Sequence, residues 1–150
     1  MKQPLAAAVL AWLAYASPGL SQEQPENSDP SRGANLYAES CASCHGVDLE
    51  GQPNWRTPDE NGVLPAPPHD KTGHTWHHDD TMLFSYTKLG GQITLERAGI
   101  TSAKSGMPGF EESLSDQDIW DILAYIKSTW PKRERMAQQQ RTEAMKWGSD

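Results

Sequence analysis

The chain has 150 residues and carries 13 basic and 20 acidic side chains, which gives a formal charge of −7 at pH 7. A length of this size predicts a single domain. An acidic surface is unfavourable for binding nucleic acid or an anionic membrane surface, so neither is expected as a partner.

Residues 1–21 have the features of a secretory signal peptide. Lys2 supplies positive charge, and the apolar run "LAAAVLAWLAYA" has about the length of a signal h-region. Because a membrane-spanning helix needs about 20 apolar residues, this run is too short for stable membrane insertion. Cleavage after Ala16 or after Ser21 would suit the small residues there. Removal of Lys2 changes the formal charge from −7 to −8, and we expect the mature protein in the periplasm.

The mature chain begins with a predicted linker and a predicted helix. Residues 22–28 are polar and predict disorder. Asp29 fits a helix N-cap and Pro30 fits the first helical position. Gly33 and Tyr37 are spaced to lie on one face of this helix. A glycine inside a helix costs about 1 kcal/mol relative to alanine, which indicates a close packing contact at Gly33.

The middle of the chain is irregular. Residues 46–78 are rich in proline and glycine and show neither helical nor strand periodicity. An irregular segment of this length is unusual in a compact domain unless it wraps around something. A short helix is predicted next, capped by Asp79 or Asp80 and ended by Gly90. A turn with the sequence "SGMPGF" follows at residues 105–110.

The clearest helical pattern is "SLSDQDIWDILAYIKSTW", residues 113–130. Ser115 and Asp118 resemble a capping box at its start, and Pro131 ends it. Four apolar residues form its buried stripe: Ile119, Ile122, Leu123 and Ile126. The polar tail, residues 132–150, predicts either a solvated helix or disorder. No strand pattern and no internal repeat is evident.

Cys41 and Cys44 are the two cysteines of the chain, and His45 follows the second at once. A Cys-x-x-Cys pair serves a redox disulfide, half of a zinc site, or covalent haem attachment. A thioredoxin-type disulfide is expected beside a βαβ pattern, which this sequence lacks. Zinc typically takes a histidine pair about 12–15 residues after the cysteines, whereas the histidines of "HTWHHDD" follow about thirty residues later. Both alternatives are disfavoured.

Cys-x-x-Cys-His is the attachment signature of c-type haem. Two thioethers reach the vinyl groups on one edge of the porphyrin, and the next residue then presents its imidazole to the iron. Cys41 and Cys44 are therefore the predicted thioether sites, and His45 is the predicted proximal ligand. A haem also explains the long irregular loop, because a flat apolar disc adds buried surface that a small chain lacks.

Three stretches make residues 31–130 resemble the class I c-type cytochromes of exported bacterial proteins. "GANLYAESCASCH" resembles the N-terminal helix of that family, "GMPGF" resembles the loop of the distal methionine, and "DILAYIKS" resembles the C-terminal helix. The resemblance implies an all-α cytochrome c fold over residues 29–131, with the terminal helices crossing around one covalently bound haem. It implies Met107 as the distal ligand and hence histidine/methionine ligation of the iron. It also implies the residues of the helix crossing: Gly33, Tyr37, Ile122 and Tyr125.

The function implied is that of a periplasmic monohaem cytochrome, which carries single electrons between redox proteins and is not an enzyme. We expect a monomer. One alternative is a haem-based sensor or ligand-binding protein with an open sixth position on the iron. The other is a cytochrome subunit of a larger oxidoreductase, docked through the polar tail at 132–150. That tail and the loop "PAPPHDKTGHTWHHDD" are departures from the minimal family pattern.

Several loop residues have candidate roles beside a haem. The loop histidines are interpreted as solvated, with haem propionates or a second metal site as alternatives: His69, His74, His77 and His78. Indole and guanidinium donors suit propionate carboxylates, with ordinary packing as the alternative: Trp55, Arg56 and Trp76. The proximal histidine is expected to donate its other ring N–H to a carbonyl of the proline-rich loop. The candidates for that carbonyl are Pro53, Pro58 and Pro65.

Overall fold

The computed structural model describes residues 23–147, so the predicted signal peptide lies outside the described residues. The helices are α1 (Pro30–Ser40), α2 (Ala42–His45), α3 (Asp80–Leu89), α4 (Gly91–Arg97), α5 (Asp116–Thr129) and α6 (Lys132–Trp147). A 3-10 turn spans Thr75–His77, and the two-residue strands β1 (Val63–Leu64) and β2 (Lys104–Ser105) pair in parallel. The prediction of an all-α fold is confirmed. Within this part of the chain no helix combines the length and apolar character needed to cross a membrane.

Helices α1 and α5 begin where the sequence predicts. The Asp29 side chain accepts hydrogen bonds from the backbone N–H groups at the start of α1, and Pro30 occupies its first turn. Ser115 and Asp118 form a complete capping box at the start of α5. Both helices therefore have their first N–H groups satisfied by side chains that the sequence identifies.

The two helices cross at Gly33. A Cβ atom at this position would lie 1.9 Å from the carbonyl oxygen of Asp121, so only glycine permits this approach. The Arg32 guanidinium forms ion pairs with Asp118 and Asp121 on α5. Further along the crossing, the rings of Tyr37 and Tyr125 lie 5.5 Å apart between centroids. The residues expected at the helix crossing are thus in place.

The core consists of two clusters on either side of α5. One cluster joins α5 to α1 and to the cysteine motif, and its members include Tyr37, Cys41, Ile122, Ile126 and Trp130. The other joins α5 to α3 and contains Leu83, Phe84, Ile119, Trp120 and Leu123. All four residues of the predicted apolar stripe of α5 are buried. Helix α5 is therefore the central element of the domain.

Residues 23–28, predicted to be disordered, pack against the domain instead. The backbone N–H of Gln24 donates to Asp80 Oδ2 at 3.0 Å, and Asn27 Nδ2 donates to Gln117 Oε1 at 3.3 Å. Glu23 forms an ion pair with Lys146 at 2.6 Å. A polar composition predicts disorder when a segment has no partners, whereas these residues bind to three different helices through one backbone N–H and two side chains.

The C-terminal tail forms α6, and one polar face of this helix is buried. Gln138 donates to Asp80 Oδ1 and to the His78 carbonyl, and the Asp80 N–H donates to Thr142 Oγ1 at 3.1 Å. Lys127 of α5 forms an ion pair with the same Asp80, and both side chains are largely buried. The inner face of α6 is therefore held by a polar network centred on Asp80, which hydrophobic periodicity does not detect.

We predict that Gly33→Ala destabilises the protein by about 1–3 kcal/mol, because the new methyl group overlaps the Asp121 carbonyl. Helix propensity alone would change stability by about 1 kcal/mol in the opposite direction. Denaturant unfolding of the haem-loaded protein measures the change. The control is Asn35→Ala, an exposed position on the same helix, which should be neutral or slightly stabilising. A Gly33→Ala protein as stable as Asn35→Ala would contradict the close crossing.

We predict that Lys127→Met costs about 3–5 kcal/mol at pH 7, because it leaves the buried Asp80 carboxylate without its cation. Burial raises the pKa of Asp80, but Lys127 and the hydrogen bonds outweigh it and hold the pKa below its usual value. The stabilisation from Asp80 is therefore present above pH 4 or so and is lost as the pH falls through the folded-state pKa.

The difference between wild type and Lys127→Met should accordingly shrink on acidification, as measured by denaturant unfolding at pH 7 and near pH 3. Lys146→Met removes the more exposed ion pair with Glu23 and is the matched control, with an expected change of about 0–1 kcal/mol. A deficit for Lys127→Met that is the same at both pH values would contradict the role of Asp80.

Candidate haem site

Helix α1 leads directly into the Cys-x-x-Cys-His turn. Cys41 ends α1, and α2 is one helical turn that ends at Gly46 with φ +82°, a conformation that favours glycine. The Tyr37 hydroxyl donates to the Gly46 carbonyl at 2.9 Å. The turn is thus fixed to the same face of α1 that packs on α5.

The two cysteines have different environments. Cys41 is buried and Cys44 is exposed, and no disulfide joins them. Burial raises the pKa of Cys41 to about 11, and the neighbouring Cys44 adds to the effect. Redox-active cysteine pairs depend on a thiol whose pKa is lowered. The environment of Cys41 therefore disfavours the redox-disulfide alternative.

His45 is buried, and its Nδ1 lies 2.9 Å from the carbonyl oxygen of Pro67. Because a carbonyl only accepts, Nδ1 carries the hydrogen, and the lone pair of Nε2 is left for a metal. Burial lowers the pKa of His45, with the bond to Pro67 acting in the opposite direction, so the ring is neutral near pH 7. These are the tautomer and charge that a metal ligand requires.

The expected carbonyl partner of His45 exists, but it is not the one predicted. The sequence suggested Pro53, Pro58 or Pro65, and the structure gives Pro67. Proline residues recur throughout this loop, and no periodicity fixes which carbonyl turns towards the ring. The type of partner could be predicted from the sequence, whereas its position depends on the path of the loop.

Met107 is half-buried in a loop that is fixed on both sides. Its carbonyl accepts from the Gly91 N–H at 3.0 Å, and its own N–H donates to Ser105 Oγ at 3.3 Å. A Cβ at Gly109 would lie 2.7 Å from the carbonyl carbon of Leu89. The loop is therefore held closely against the end of α3, and it presents Met107 from a rigid support.

The segment that follows β1 connects the surroundings of His45 and Met107. Val63 pairs with β2, and a Cβ on Gly106 would lie 3.2 Å from Val63 Cγ1. Pro67, whose carbonyl accepts from His45, lies four residues after Val63. Even fully extended chain separates these two positions by about 14 Å at most. One short segment thus contacts the loop of Met107 at Val63 and the ring of His45 at Pro67.

Residues 30–130 match the family model for cytochrome c. This chain belongs to the cytochrome c family. Cytochrome c-554(547) of Halothiobacillus neapolitanus is 33% identical over 99 residues, which cover 65% of this chain and 93% of that protein. No solved structure matches the chain significantly.

Two further relatives are longer proteins. Thiosulfate dehydrogenase of Stutzerimonas stutzeri (strain A1501) is 32% identical over 106 residues, which cover 70% of this chain. The gluconate 2-dehydrogenase cytochrome c subunit of Pantoea cypripedii is 28% identical over 104 residues, which cover 68% of this chain. The matched region is 29% and 21% of the length of these two proteins. The chain thus matches less than a third of the length of either protein.

The loop histidines of this cytochrome have different environments. His74 and His77 are exposed, as predicted, whereas His69 and His78 are partly buried. His74 stacks on Trp55 with ring centroids 5.2 Å apart, and it meets the edge of His78 at 5.2 Å. Within residues 23–147, no group of three His, Cys, Asp or Glu side chains is arranged to bind a metal ion. A second metal site in this loop has no support there.

His69 is the residue whose role the sequence did not reveal. Its ring stacks on that of His45, with centroids 4.0 Å apart and planes inclined by 20°. Desolvation holds the pKa of His69 well below its usual value, and His45 and His74 lower it further. Since His69 lies within the irregular segment, 24 residues after His45, no pattern in the chain pairs them.

The side chain of Trp76 bears on whether the surroundings of Cys41 suit a haem. Its ring packs against the cluster that contains Cys41 and Tyr37, and its Nε1 is buried without a hydrogen-bond partner in the described chain. A buried donor without an acceptor costs about 1–3 kcal/mol and is rare in native proteins. A propionate of a haem attached at Cys41 would supply the acceptor. The residues present thus fit the group that the family implies.

Proposed function

We propose that this cytochrome carries single electrons in the periplasm, with one haem attached to Cys41 and Cys44. The observation that supports this most directly is the state of His45, whose Nδ1 is bound to the Pro67 carbonyl and whose Nε2 is left for iron. Haem supplies the one-electron chemistry when it is bound, and the protein contributes ligands, burial and access. The signal-like segment at 1–21 supports the periplasmic location.

Met107 is proposed as the sixth ligand. The loop that carries it is anchored at Gly91 and at the end of α3, so the thioether is presented by a fixed backbone. A thioether ligand raises the reduction potential of haem iron. A filled sixth position also favours an electron carrier over a sensor, because an external ligand would have to displace the sulfur.

Cys44, which is exposed, marks the proposed route for electrons. Three exposed acidic residues belong to the segments around the Cys-x-x-Cys-His turn: Glu39, Asp48 and Glu50. Acidic groups near an electron-transfer surface steer a partner with a basic surface. We therefore propose a redox protein with a basic docking surface as the electron donor or acceptor.

A second candidate function is that of a cytochrome subunit within a dehydrogenase complex. The observation that favours it is the match to only part of two longer relatives, one named a thiosulfate dehydrogenase and one a gluconate 2-dehydrogenase subunit. Purification of the protein from periplasm distinguishes a free electron carrier from a subunit of a complex. A shuttle purifies alone, whereas a subunit purifies with its dehydrogenase in fixed ratio.

We predict that acid–acetone extraction leaves the haem on the polypeptide, because Cys41 and Cys44 hold it covalently. Cys41→Ala and Cys44→Ala should each leave a single thioether, with a shifted pyridine haemochrome spectrum and lower stability. The control is Ser43→Ala, between the two cysteines, which should keep both thioethers. A colourless polypeptide after extraction of the wild type would refute covalent attachment.

We predict that Met107→Ala abolishes the weak near-infrared sulfur-to-iron charge-transfer band of the ferric protein. The potential should fall by a sizeable part of the roughly 0.8 V range that axial ligands control, because a thioether stabilises ferrous iron better than water does. Absorption spectroscopy and redox titration measure the two effects. His74→Ala, His77→Ala and His78→Ala are the matched controls and should keep the band. Loss of the band in a histidine variant instead would remove Met107 as the ligand.

A further inference from the structure

His69 is held at three points around its stack on His45. Its N–H donates to the Leu49 carbonyl at 2.8 Å, and its own carbonyl accepts from Trp130 Nε1 at 2.7 Å. Its ring Nδ1 lies 2.8 Å from Thr75 Oγ1. Both the backbone and the imidazole of His69 are thus fixed before any contact with His45 is considered.

The ring of His69 is hydrogen-bonded to a buried hydroxyl. Its Nδ1 lies 2.8 Å from Oγ1 of Thr75, which also lies 3.4 Å from the Pro68 carbonyl oxygen. The edge of Tyr37 lies 6.2 Å from the His69 ring at an angle of 73°. The His69 imidazole is therefore held in place, and its plane is nearly parallel to that of the His45 ring.

The Pro67 hydrogen bond alone leaves one motion of the proximal ring poorly restrained. A single bond at Nδ1 fixes the tautomer and the tilt of His45, but the ring can still rotate about the line through its two nitrogens, Nδ1 and Nε2. The His69 ring, stacked at 4.0 Å, resists that rotation, because turning the His45 ring would bring the edge of His45 into contact with the face of His69. The stack and the hydrogen bond thus restrain different motions of the same ring.

We infer that His69 is a positioning residue, which sets the orientation of the His45 imidazole plane relative to the pyrrole nitrogens of the haem. The inference rests on the proposed function, in that His45 must be the proximal ligand. The plane of an axial imidazole selects the iron d orbital that holds the unpaired electron in low-spin ferric haem. That choice distributes spin density over the porphyrin, so the orientation can be read from the haem itself.

The test uses proton NMR of the ferric, haem-loaded protein and follows the order and spread of the four haem-methyl resonances. His69→Leu removes the flat ring and should change this pattern. His69→Phe keeps a flat ring in the stack without the bond to Thr75 and should restore the wild-type order. The matched control is His74→Leu, since His74 stacks on Trp55 and not on His45. Its pattern should equal that of wild type.

An unchanged methyl pattern in His69→Leu overturns the inference, as does an equal change in the Leu and Phe variants. Covalent haem and the near-infrared band are measured on the same samples. If the wild-type protein lacks covalent haem, or if His45→Ala keeps a histidine-ligated iron, the proposed function fails. If the wild-type protein has covalent haem and the near-infrared band, and the methyl pattern does not change in His69→Leu, the inference fails and the proposed function stands.

Discussion

The close approach of α1 to α5 at Gly33 determines where the haem-binding turn lies. The Asp121 carbonyl occupies the space that a side chain at residue 33 would need, so the two backbones are in contact. Tyr37 and Cys41 follow on the same face of α1, and both are buried in the cluster along α5. The helix crossing therefore sets the direction in which α1 ends and the position from which His45 is presented. A glycine eight residues before Cys41 thus fixes the geometry of the attachment motif.

Proline suits the loop that faces His45 for a physical reason. A proline has a carbonyl acceptor but no N–H donor, so a proline-rich segment offers acceptors that no strand or helix consumes. The Pro67 carbonyl binds His45, and that of Pro68 accepts from Thr75. Non-proline residues of the loop supply the remaining bonds, as where the His69 N–H donates to Leu49. The loop is irregular in its dihedral angles but closely specified by its hydrogen bonds.

Features with local chemical causes could be predicted from the sequence. The caps at Asp29 and Ser115 and the reason for Gly33 each depend on a few neighbouring residues, and the structure contains all three. Features that depend on the path of an irregular chain could not be predicted. The sequence points to prolines other than Pro67 as the partner of His45, and it predicts a solvated His69 where the structure has a ring stacked on His45. The roles of Cys41, Cys44, His45 and Met107 stay predictions that chemistry on the haem-loaded protein has to test.

Helix α6 shows how a polar tail contributes to the haem surroundings. Its Gln138 donates to the His78 carbonyl, at the end of the loop that carries His69, Thr75 and Trp76. The same side chain binds Asp80, which is buried at the start of α3 and paired with Lys127 of α5. Because a buried charge tolerates little displacement without losing its partners, this network fixes the loop end relative to both helices. Helix α6, which lies outside the matched region, thus holds the end of the loop against the domain at His78.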